Sequence, residues 1–279
     1  MLKPDEPDAQ LLDRARAGDP VALETLLERH QAQVYRFGLR MCRDQEDAKD
    51  VAQDTLIAMA RGVRVFRGAS SISTWLFTIA RSFCIKKRRR SRFAPAAERS
   101  IDTDTPAEVR RLADPARTPE DIVAGQEVER ALEGAIASLP PGLREVLLLR
   151  DAEGLTAPEV AEVLGISPQA VKSRLHRARL LVRAQLAPLL GIGGAARAMS
   201  PTCPDVLEVF SRHLEGEVSA EACAEMERHL EGCDRCRGAC ASLKKTLALC
   251  RTAGSAIEVP GAVKASVEAA VRAFLSGNA

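Results

Sequence analysis

Apolar positions recur along most of this chain at the three- and four-residue spacing of amphipathic helices. Such stripes cover residues 48–59, 76–84 and 128–139, and a last one covers residues 263–274. We therefore predict an all-α protein with two small helical domains on a flexible linker and a small helical domain at the C-terminus.

Residues suited to helix capping mark where several of these helices begin. Asp19 precedes Pro20, which is typical of an N-cap followed by proline in the first turn. Asp44 can cap the helix of the 48–59 stripe, and Ser71 or Ser73 can cap the helix that follows. The first part of the chain is thus predicted to be a run of consecutive helices.

Two segments without sustained periodicity divide the chain. Residues 93–121 contain four prolines among charged and small residues, and residues 188–200 contain three glycines. Both compositions are typical of linkers. The predicted domains are therefore residues 8–92, 122–187 and 201–279.

The second predicted domain contains a helix-turn-helix. Thr156 and Glu159 have the capping-box spacing, Gly165 can end that helix, and Ser167 with Pro168 can begin the next. A DNA-reading helix buries one apolar stripe and presents donors to base edges and phosphates on its other faces. The candidate DNA-contacting residues are Ser167, Gln169, Lys172, Ser173, Arg174, His176 and Arg177.

Positive charge is concentrated in two places. The formal net charge is only +2, yet residues 81–92 carry seven Arg or Lys residues and no acid, and residues 172–183 are similar. A local cationic patch attracts a polyanion whatever the total charge.

No apolar run reaches the ~18 residues of a membrane span. The N-terminus also lacks the apolar core of a signal peptide, so we expect a cytoplasmic protein that does not contact a membrane.

The helix-turn-helix resembles region 4 of bacterial RNA polymerase sigma factors of the extracytoplasmic-function type. The resemblance covers the stretches from Leu139 to Arg150 and from Gly154 to Arg179. In that family region 4 reads the −35 promoter element. The resemblance implies that the recognition helix of this chain covers residues 167–179.

The first domain resembles sigma region 2. Residues 47–54 match the family helix that docks on the polymerase clamp, which implies polymerase contacts by Asp47, Asp50 and Asp54. Residues 66–81 match the segment that melts and reads the −10 element, and single-stranded bases need a stacking surface and a cationic track. Each aromatic there could instead be a core residue. The candidates for reading this element are Phe66, Trp75, Phe77, Arg81, Lys86, Lys87 and Arg88.

Six of the eight cysteines lie in the last third of the chain. In a reducing cytoplasm such a cluster favours metal or thiol chemistry over a disulfide framework. His229 precedes Cys233 by about one helical turn, and Cys233 and Cys236 form a Cys-x2-Cys pair. With Cys203 they would give Zn²⁺ a closed tetrahedral shell of the structural type. The fourth ligand stays open, because three other residues could replace Cys203. These are Cys223, Cys240 and His213.

This spacing resembles the zinc-binding anti-sigma domains, which pack against a sigma factor, and so implies intramolecular contacts between the tail and the sigma-like domains. Cys223, Cys240 and Cys250 lie outside the predicted shell. They are either core residues or a second, labile metal site or thiol switch. The last predicted helix, after Pro260, either covers part of the sigma-like domains or closes the tail's own core.

These features predict a sigma factor that directs core RNA polymerase to promoter DNA and is regulated by its own tail in response to metal or oxidation. The sign of that control stays open. The alternative is a stand-alone helix-turn-helix regulator with a metal-sensing tail, which would bind duplex DNA without polymerase. We predict that the protein is not an enzyme, because no nucleophile–base pair or phosphate-binding loop is present.

Overall fold

The computed structural model describes residues 6–42, 44–68, 70–93, 119–190, 203–252 and 259–275. Every regular element in these ranges is helical, so the predicted all-α class is confirmed. Most of both predicted linkers, residues 94–118 and 191–200, lies outside the described ranges. None of the described helices is long and apolar enough to cross a bilayer.

The helices follow one another along the chain, and the chain forms two compact units. In order they are α1 (Asp8–Arg16), α2 (Pro20–Cys42), α3 (Gln45–Gly62), α4 (Ile72–Phe93), α5 (Pro119–Ser138), α6 (Pro141–Leu147), a π-helical turn (Leu148–Ala152), α7 (Ala157–Leu164), α8 (Pro168–Leu186), α9 (Val206–His213), α10 (Ala220–Gly232), α11 (Asp234–Thr252) and α12 (Gly261–Leu275).

The first unit contains α1 to α4 together with α12. Its core lies between α2, α3 and α4, where Phe37 and Phe77 meet edge to face with ring centroids 5.1 Å apart. Gly38 permits the close approach of α2 to α3, because a methyl group there would lie 3.3 Å from the carbonyl oxygen of Ala48. Helix α12 packs on α3 and buries Val263 and Val267.

The predicted helix starts in this unit are confirmed. A carboxylate oxygen of Asp19 accepts from the backbone N–H of Val21 at 2.9 Å, and α2 begins at the residue between them. Asp44 accepts from the N–H of Asp47 at 2.7 Å. Of the two serines proposed as the next cap, Ser71 is the one whose hydroxyl accepts from a backbone N–H, that of Thr74.

The second unit contains α5 to α11. Helix α8 lies at its centre, because α5, α6 and α7 pack against it together with α9 and α11. The apolar stripe predicted for α8 is confirmed: Val171, Leu175, Ala178 and Val182 are each fully buried. Cysteine and apolar side chains of α9 and α11 form a separate cluster. Its members include Val206, Phe210, Cys236, Cys240, Leu243 and Leu247.

The predicted domain of residues 201–279 is thus divided between the two units. Helices α9 to α11 belong to the unit of the helix-turn-helix, and α12 belongs to the first unit. The physical reason is that each part has its own apolar surface. Leu243 and Leu247 of α11 face the second unit's interior, whereas Val263 and Val267 of α12 are buried in the first.

Candidate nucleic-acid interface and metal centre

The helix-turn-helix has the local geometry that its sequence predicts. Thr156 and Glu159 form a reciprocal capping box, with the N–H of Thr156 donating to the Glu159 carboxylate at 2.8 Å. Gly165 ends α7 with φ +65°, which a residue with a side chain rarely adopts. The hydroxyl of Ser167 then accepts from the N–H of Ala170 at 3.2 Å and begins α8. Helix α8 is therefore firmly positioned on α7.

One face of α8 is open to solvent. Gln169, Ser173 and Arg177 follow one another at four-residue spacing, and each is exposed. Ser167, at the N-cap, is exposed beside them. The guanidinium of Arg174 is half-buried and lies against Gly142 at the start of α6. This open face retains donors that can reach base edges and phosphates.

The neighbouring face of α8 is covered by the cysteine-rich segment. Lys172 Nζ pairs with a carboxylate oxygen of Glu217 at 3.0 Å. Nδ1 of His176 is buried without a hydrogen-bond partner among the described residues. Two turns further on, burial lowers the pKa of the Arg183 guanidinium. The predicted DNA-contacting residues are therefore split between an open and a covered face.

Arg179, at the centre of the covered face, was not among the predicted site residues. Its guanidinium donates to both carboxylate oxygens of Asp151, at 2.8 and 2.7 Å. It also donates to Glu215 at 2.8 Å and to the carbonyl oxygen and hydroxyl of Ser211, both at 3.2 Å. Arg150 contacts the same Glu215 carboxylate at 3.1 Å. The side chains of Arg179, Asp151 and Glu215 are all under 10% exposed, being 2%, 8% and 4%.

The predicted polymerase-binding and DNA-binding charges of the first unit lie next to each other. Lys87 of α4 pairs with Asp47 of α3 at 3.3 Å and also with Asp50. Lys86 and Arg88 are exposed, and Arg81 is half-buried. Lys87 is thus engaged with carboxylates rather than presented with its neighbours as part of one cationic track.

Asp54 is exposed on the same helix as Asp47 and Asp50. Partial burial, followed by the like charge of Asp50, raises the pKa of the Asp54 carboxyl, while Lys87 and Lys86 lower it. The carboxylate of Asp54 thus lies in surroundings that disfavour its charge.

Two of the three predicted stacking aromatics form an accessible pair. The rings of Phe66 and Trp75 are stacked with centroids 4.5 Å apart, both residues are half-buried, and the guanidinium of Arg16 lies over Phe66 at 5.6 Å. A methyl group on Gly62 would come within 2.8 Å of the Trp75 ring. Phe77 differs, because it is 1% exposed in the core against Phe37 and presents no face to a base.

The four predicted metal ligands meet at one point. One ligand atom from each of Cys203, His229, Cys233 and Cys236 lies within 4.8 Å of all the others. Nε2 of His229 is 3.2 Å from the sulfur of Cys236. The cluster joins the segment that precedes α9, the end of α10 and the start of α11. Such a set fits a closed four-ligand site with no open position.

The surroundings shift the pKa values of Cys233 and Cys236 in opposite directions. Burial and the neighbouring thiols raise the pKa of Cys236 to about 12, whereas hydrogen bonds from the backbone N–H and the thiol of Cys236 lower the pKa of Cys233. Two thiolates placed this closely repel each other unless a cation lies between them. The donor set therefore fits a soft divalent cation and excludes a site made of oxygen ligands.

The remaining tail cysteines do not form a second cluster. The sulfur of Cys223 lies 3.2 Å from Nδ1 of His213, Cys240 is buried with its sulfur 3.9 Å from the carbonyl oxygen of Val206, and Cys250 is also buried. Among the described residues, no group of three or more ligand atoms converges other than the one with His229. Of the alternatives left open for Cys223, Cys240 and Cys250, a shared metal site is thus not supported, and Cys240 lies in the apolar cluster of α9 and α11.

Three family models match this chain. "Sigma-70 region 2" matches residues 26–93, "Sigma-70, region 4" matches residues 129–182, and "Putative zinc-finger" matches residues 203–237. The RNA polymerase sigma-H factor of Pseudomonas aeruginosa is 31% identical over 191 residues, which cover 66% of this chain and 96% of the relative. The chain belongs to the extracytoplasmic-function sigma factors.

Other relatives of this sigma factor have similar names. The ECF RNA polymerase sigma factor SigM of Mycobacterium tuberculosis is 34% identical over 184 residues, covering 66% of this chain and 85% of the relative. A solved structure of CnrH in complex with the cytosolic domain of CnrY is 28% identical and has a TM-score of 0.46, covering 66% of this chain and 99% of that chain.

The family matches assign the contacts of this sigma factor to named regions. The region 4 match contains Lys172 and Arg179, and the zinc-finger match contains their partners Glu217 and Glu215 together with all four converging ligands. The ion pairs on α8 thus join region 4 to the zinc-finger segment. Helix α12 lies beyond all three matches and packs on region 2.

Proposed function

We propose that this sigma factor directs RNA polymerase to its promoters and that its own C-terminal segment inhibits it until that segment loosens. Inhibition rather than activation is supported by the ion pair between Lys172 of the recognition helix and Glu217 of the zinc-finger segment. Glu217 neutralises a lysine that would otherwise bind a DNA phosphate. The negative charge of Glu217 also repels phosphates.

In this proposal the open face of α8 supplies the first contacts with the −35 element. Gln169, Ser173 and Arg177 reach base edges in the major groove, and Ser167 and Arg174 contact the backbone. Lys172 and His176 complete the interface after the zinc-finger segment leaves. Five of these seven residues are then available at rest, which supports weak duplex binding by the full chain and stronger binding after release.

Region 2 supplies the other contacts. Asp47, Asp50 and Asp54 of α3 bind the polymerase clamp, and the stacked pair of Phe66 and Trp75 receives an unpaired base of the −10 element. Arg81, Lys86 and Arg88 supply the cationic track, and Lys87 joins them when its carboxylate partners turn to the polymerase. Phe77 has no direct part, because it is a core residue.

Helix α12 contributes to inhibition on region 2. It packs on α3, the helix that carries all three clamp-binding carboxylates, and lies beside Leu27 and Gln31 of α2. A helix held on α3 limits the approach of the much larger clamp. Because its contact is made mainly by Val263 and Val267, it can be displaced without leaving a buried charge behind.

The metal of the zinc-finger segment is Zn²⁺ in this proposal, held by Cys203, His229, Cys233 and Cys236. A closed set of three thiolates and one imidazole is typical of structural zinc, which cross-links a small domain and performs no catalysis. Cys236 belongs both to this ligand set and to the apolar cluster of α9 and α11. Metal loss or thiol oxidation therefore loosens the same helices that cover α8.

The test is in vitro transcription with core polymerase, comparing the full chain with a 1–199 truncation. We expect polymerase-dependent initiation by both, and at least several-fold more by the truncation. Glu217→Gln in the full chain should shift activity toward that of the truncation. Glu225→Gln is the matched control, because Glu225 is an exposed glutamate of the same segment, on α10.

Equal activity of the full chain and the truncation under all metal and redox conditions would contradict inhibition by the C-terminal segment. Lower activity of the truncation would show that the segment activates the sigma factor instead. Initiation by neither form, with duplex binding retained, would contradict promoter recognition for polymerase.

A further inference from the structure

Region 2 contains a pair of thiols that neither the zinc-finger segment nor promoter recognition uses. Cys42 is the last residue of α2, and Cys84 lies in the middle of α4. Their sulfur atoms are 3.3 Å apart although the residues are 42 positions apart in the chain. Neither thiol is in a disulfide. We propose that Cys42 and Cys84 form a reversible dithiol–disulfide couple that cross-links region 2 under oxidising conditions.

The placement of the two thiols suits this chemistry. Cys42 is half-buried at a helix end, so a small oxidant can reach its sulfur. Cys84 is only 3% exposed, so its sulfur is protected from solvent. Such a pair has an accessible thiol that reacts and a protected thiol that resolves the product. Because the sulfurs are already in contact, bond formation needs side-chain rotation and only small movement of the helices.

The oxidant is a hydroperoxide. The Cys42 thiolate attacks the peroxide oxygen, the O–O bond breaks, and the products are a sulfenic acid on Cys42 and water (or the corresponding alcohol). The Cys84 thiolate then attacks the Cys42 sulfur, an S–S bond forms, and the sulfenic oxygen leaves as water after protonation. Two thiols lose two electrons and two protons, and one peroxide is reduced. A small dithiol reverses the step by exchange.

The cross-link would close a loop of chain that contains the predicted polymerase-binding and base-stacking residues of region 2. The segment between Cys42 and Cys84 contains α3 with Asp47, Asp50 and Asp54, and also the stacked Phe66 and Trp75. Joining its two ends restricts the unfolded chain and so stabilises the folded region. Reversible disulfides of this kind occur in reducing compartments as transient, oxidant-sensing bonds. The response would belong to region 2 itself and would not need the zinc-finger thiols.

The test uses the full, metal-loaded chain treated with a small excess of hydrogen peroxide, then alkylated, digested and analysed by mass spectrometry. We expect one peptide pair joined through Cys42 and Cys84, lighter by two hydrogen atoms than the reduced pair, and its loss with dithiothreitol. Trp75 is the single tryptophan and lies in region 2, so its fluorescence reports on this unit. Oxidation should raise the melting temperature that it reports by roughly 5–10 °C.

Two variants complete the test. Cys42→Ala, at a partly exposed helix end, should fold and show neither the joined peptide nor the oxidant-dependent rise in melting temperature. Cys250→Ala, in the other unit, should retain both. If Cys42 and Cys84 stay open to alkylation, carry separate oxygen adducts or link two chains together, the couple does not exist.

Discussion

The C-terminal segment contacts region 4 and region 2 in different ways. On region 4 the contact is built around buried charge: Arg179 lies between Asp151 and Glu215, and all three side chains are almost completely buried. On region 2 the contact is apolar, with Val263 and Val267 of α12 buried while Lys264 and Glu268 remain exposed. One chain thus uses a directional contact on region 4 and a non-directional contact on region 2.

The difference has consequences for specificity and release. A buried ion pair gains little net stability, because desolvation offsets attraction, but it penalises every arrangement that leaves one charge unpaired. An apolar contact tolerates small shifts and is lost gradually. We infer that the contact on region 4 has one fixed geometry and forms or breaks as a unit. The contact on region 2 tolerates small displacements of α12.

Metal removal should have the largest effect and should separate the two contacts, because the ligands support only the contact on region 4. We expect Cys236→Ser to lose the bound metal ion and to lose amide hydrogen-exchange protection in α10 and α11. Trp75 fluorescence, which reports on the other unit, should be unchanged. Cys223→Ser is the control, since Cys223 lies outside the converging ligands. Metal retained by Cys236→Ser would contradict the assigned site.

Removal of the central cation should have the next largest effect. Arg179→Met leaves the carboxylates of Asp151 and Glu215 buried, with only Arg150 still near Glu215. We expect a loss of about 3–5 kcal/mol in the stability of the second unit, measured by hydrogen exchange in α8. Arg212→Met, at a half-exposed arginine, should cost little. A similar small cost for both variants would show that the network is dispensable.

Shortening one valine of α12 should have a moderate effect confined to region 2. Val267→Ala removes two buried methyl groups, and we expect a loss of about 1–2 kcal/mol in urea denaturation followed by Trp75 fluorescence. Arg272→Ala, at an exposed position on the same helix, is the control. If Val267→Ala leaves the transition unmoved, α12 does not stabilise region 2.

The smallest effect should come from Asp54 and should depend on pH. Its pKa is raised by burial and by Asp50, so the ionised carboxylate is less favourable in the folded than in the unfolded state. Asp54→Asn should therefore stabilise region 2 at neutral pH, by less than about 0.5 kcal/mol after solvent screening. The difference should vanish as the pH falls and protonates the wild-type carboxyl. A destabilised variant at neutral pH would contradict this sign.

Asp54→Asn also separates stability from function. If Asp54 contacts the polymerase, the variant should bind core polymerase more weakly although it is slightly more stable. Glu46→Gln is a matched control on the same helix, because Glu46 pairs locally with Lys49 and its side chain is 78% exposed.

The sequence predicted the features that depend on near neighbours. The caps at Asp19, Asp44, Thr156 and Ser167 could all be predicted from the sequence. Each cap is a hydrogen bond between residues two or three positions apart. The ligand set was also readable, since His229, Cys233 and Cys236 lie on adjacent turns. Cys203 is the exception, and the structure selected it from four candidates by bringing its sulfur to the others.

Only the tertiary structure decided which distant residues meet. Arg179 reaches Asp151 and Glu215 across 28 and 36 positions, Cys42 reaches Cys84 across 42, and the burial of Phe77 depends on Phe37. Periodicity shows which face of a helix is apolar, but not what covers it, because every apolar face gains similar free energy from burial. The sequence by itself therefore determined the helices, the helix-turn-helix and most of the metal ligands. The packing decided that one part of the tail covers the recognition helix and another covers region 2.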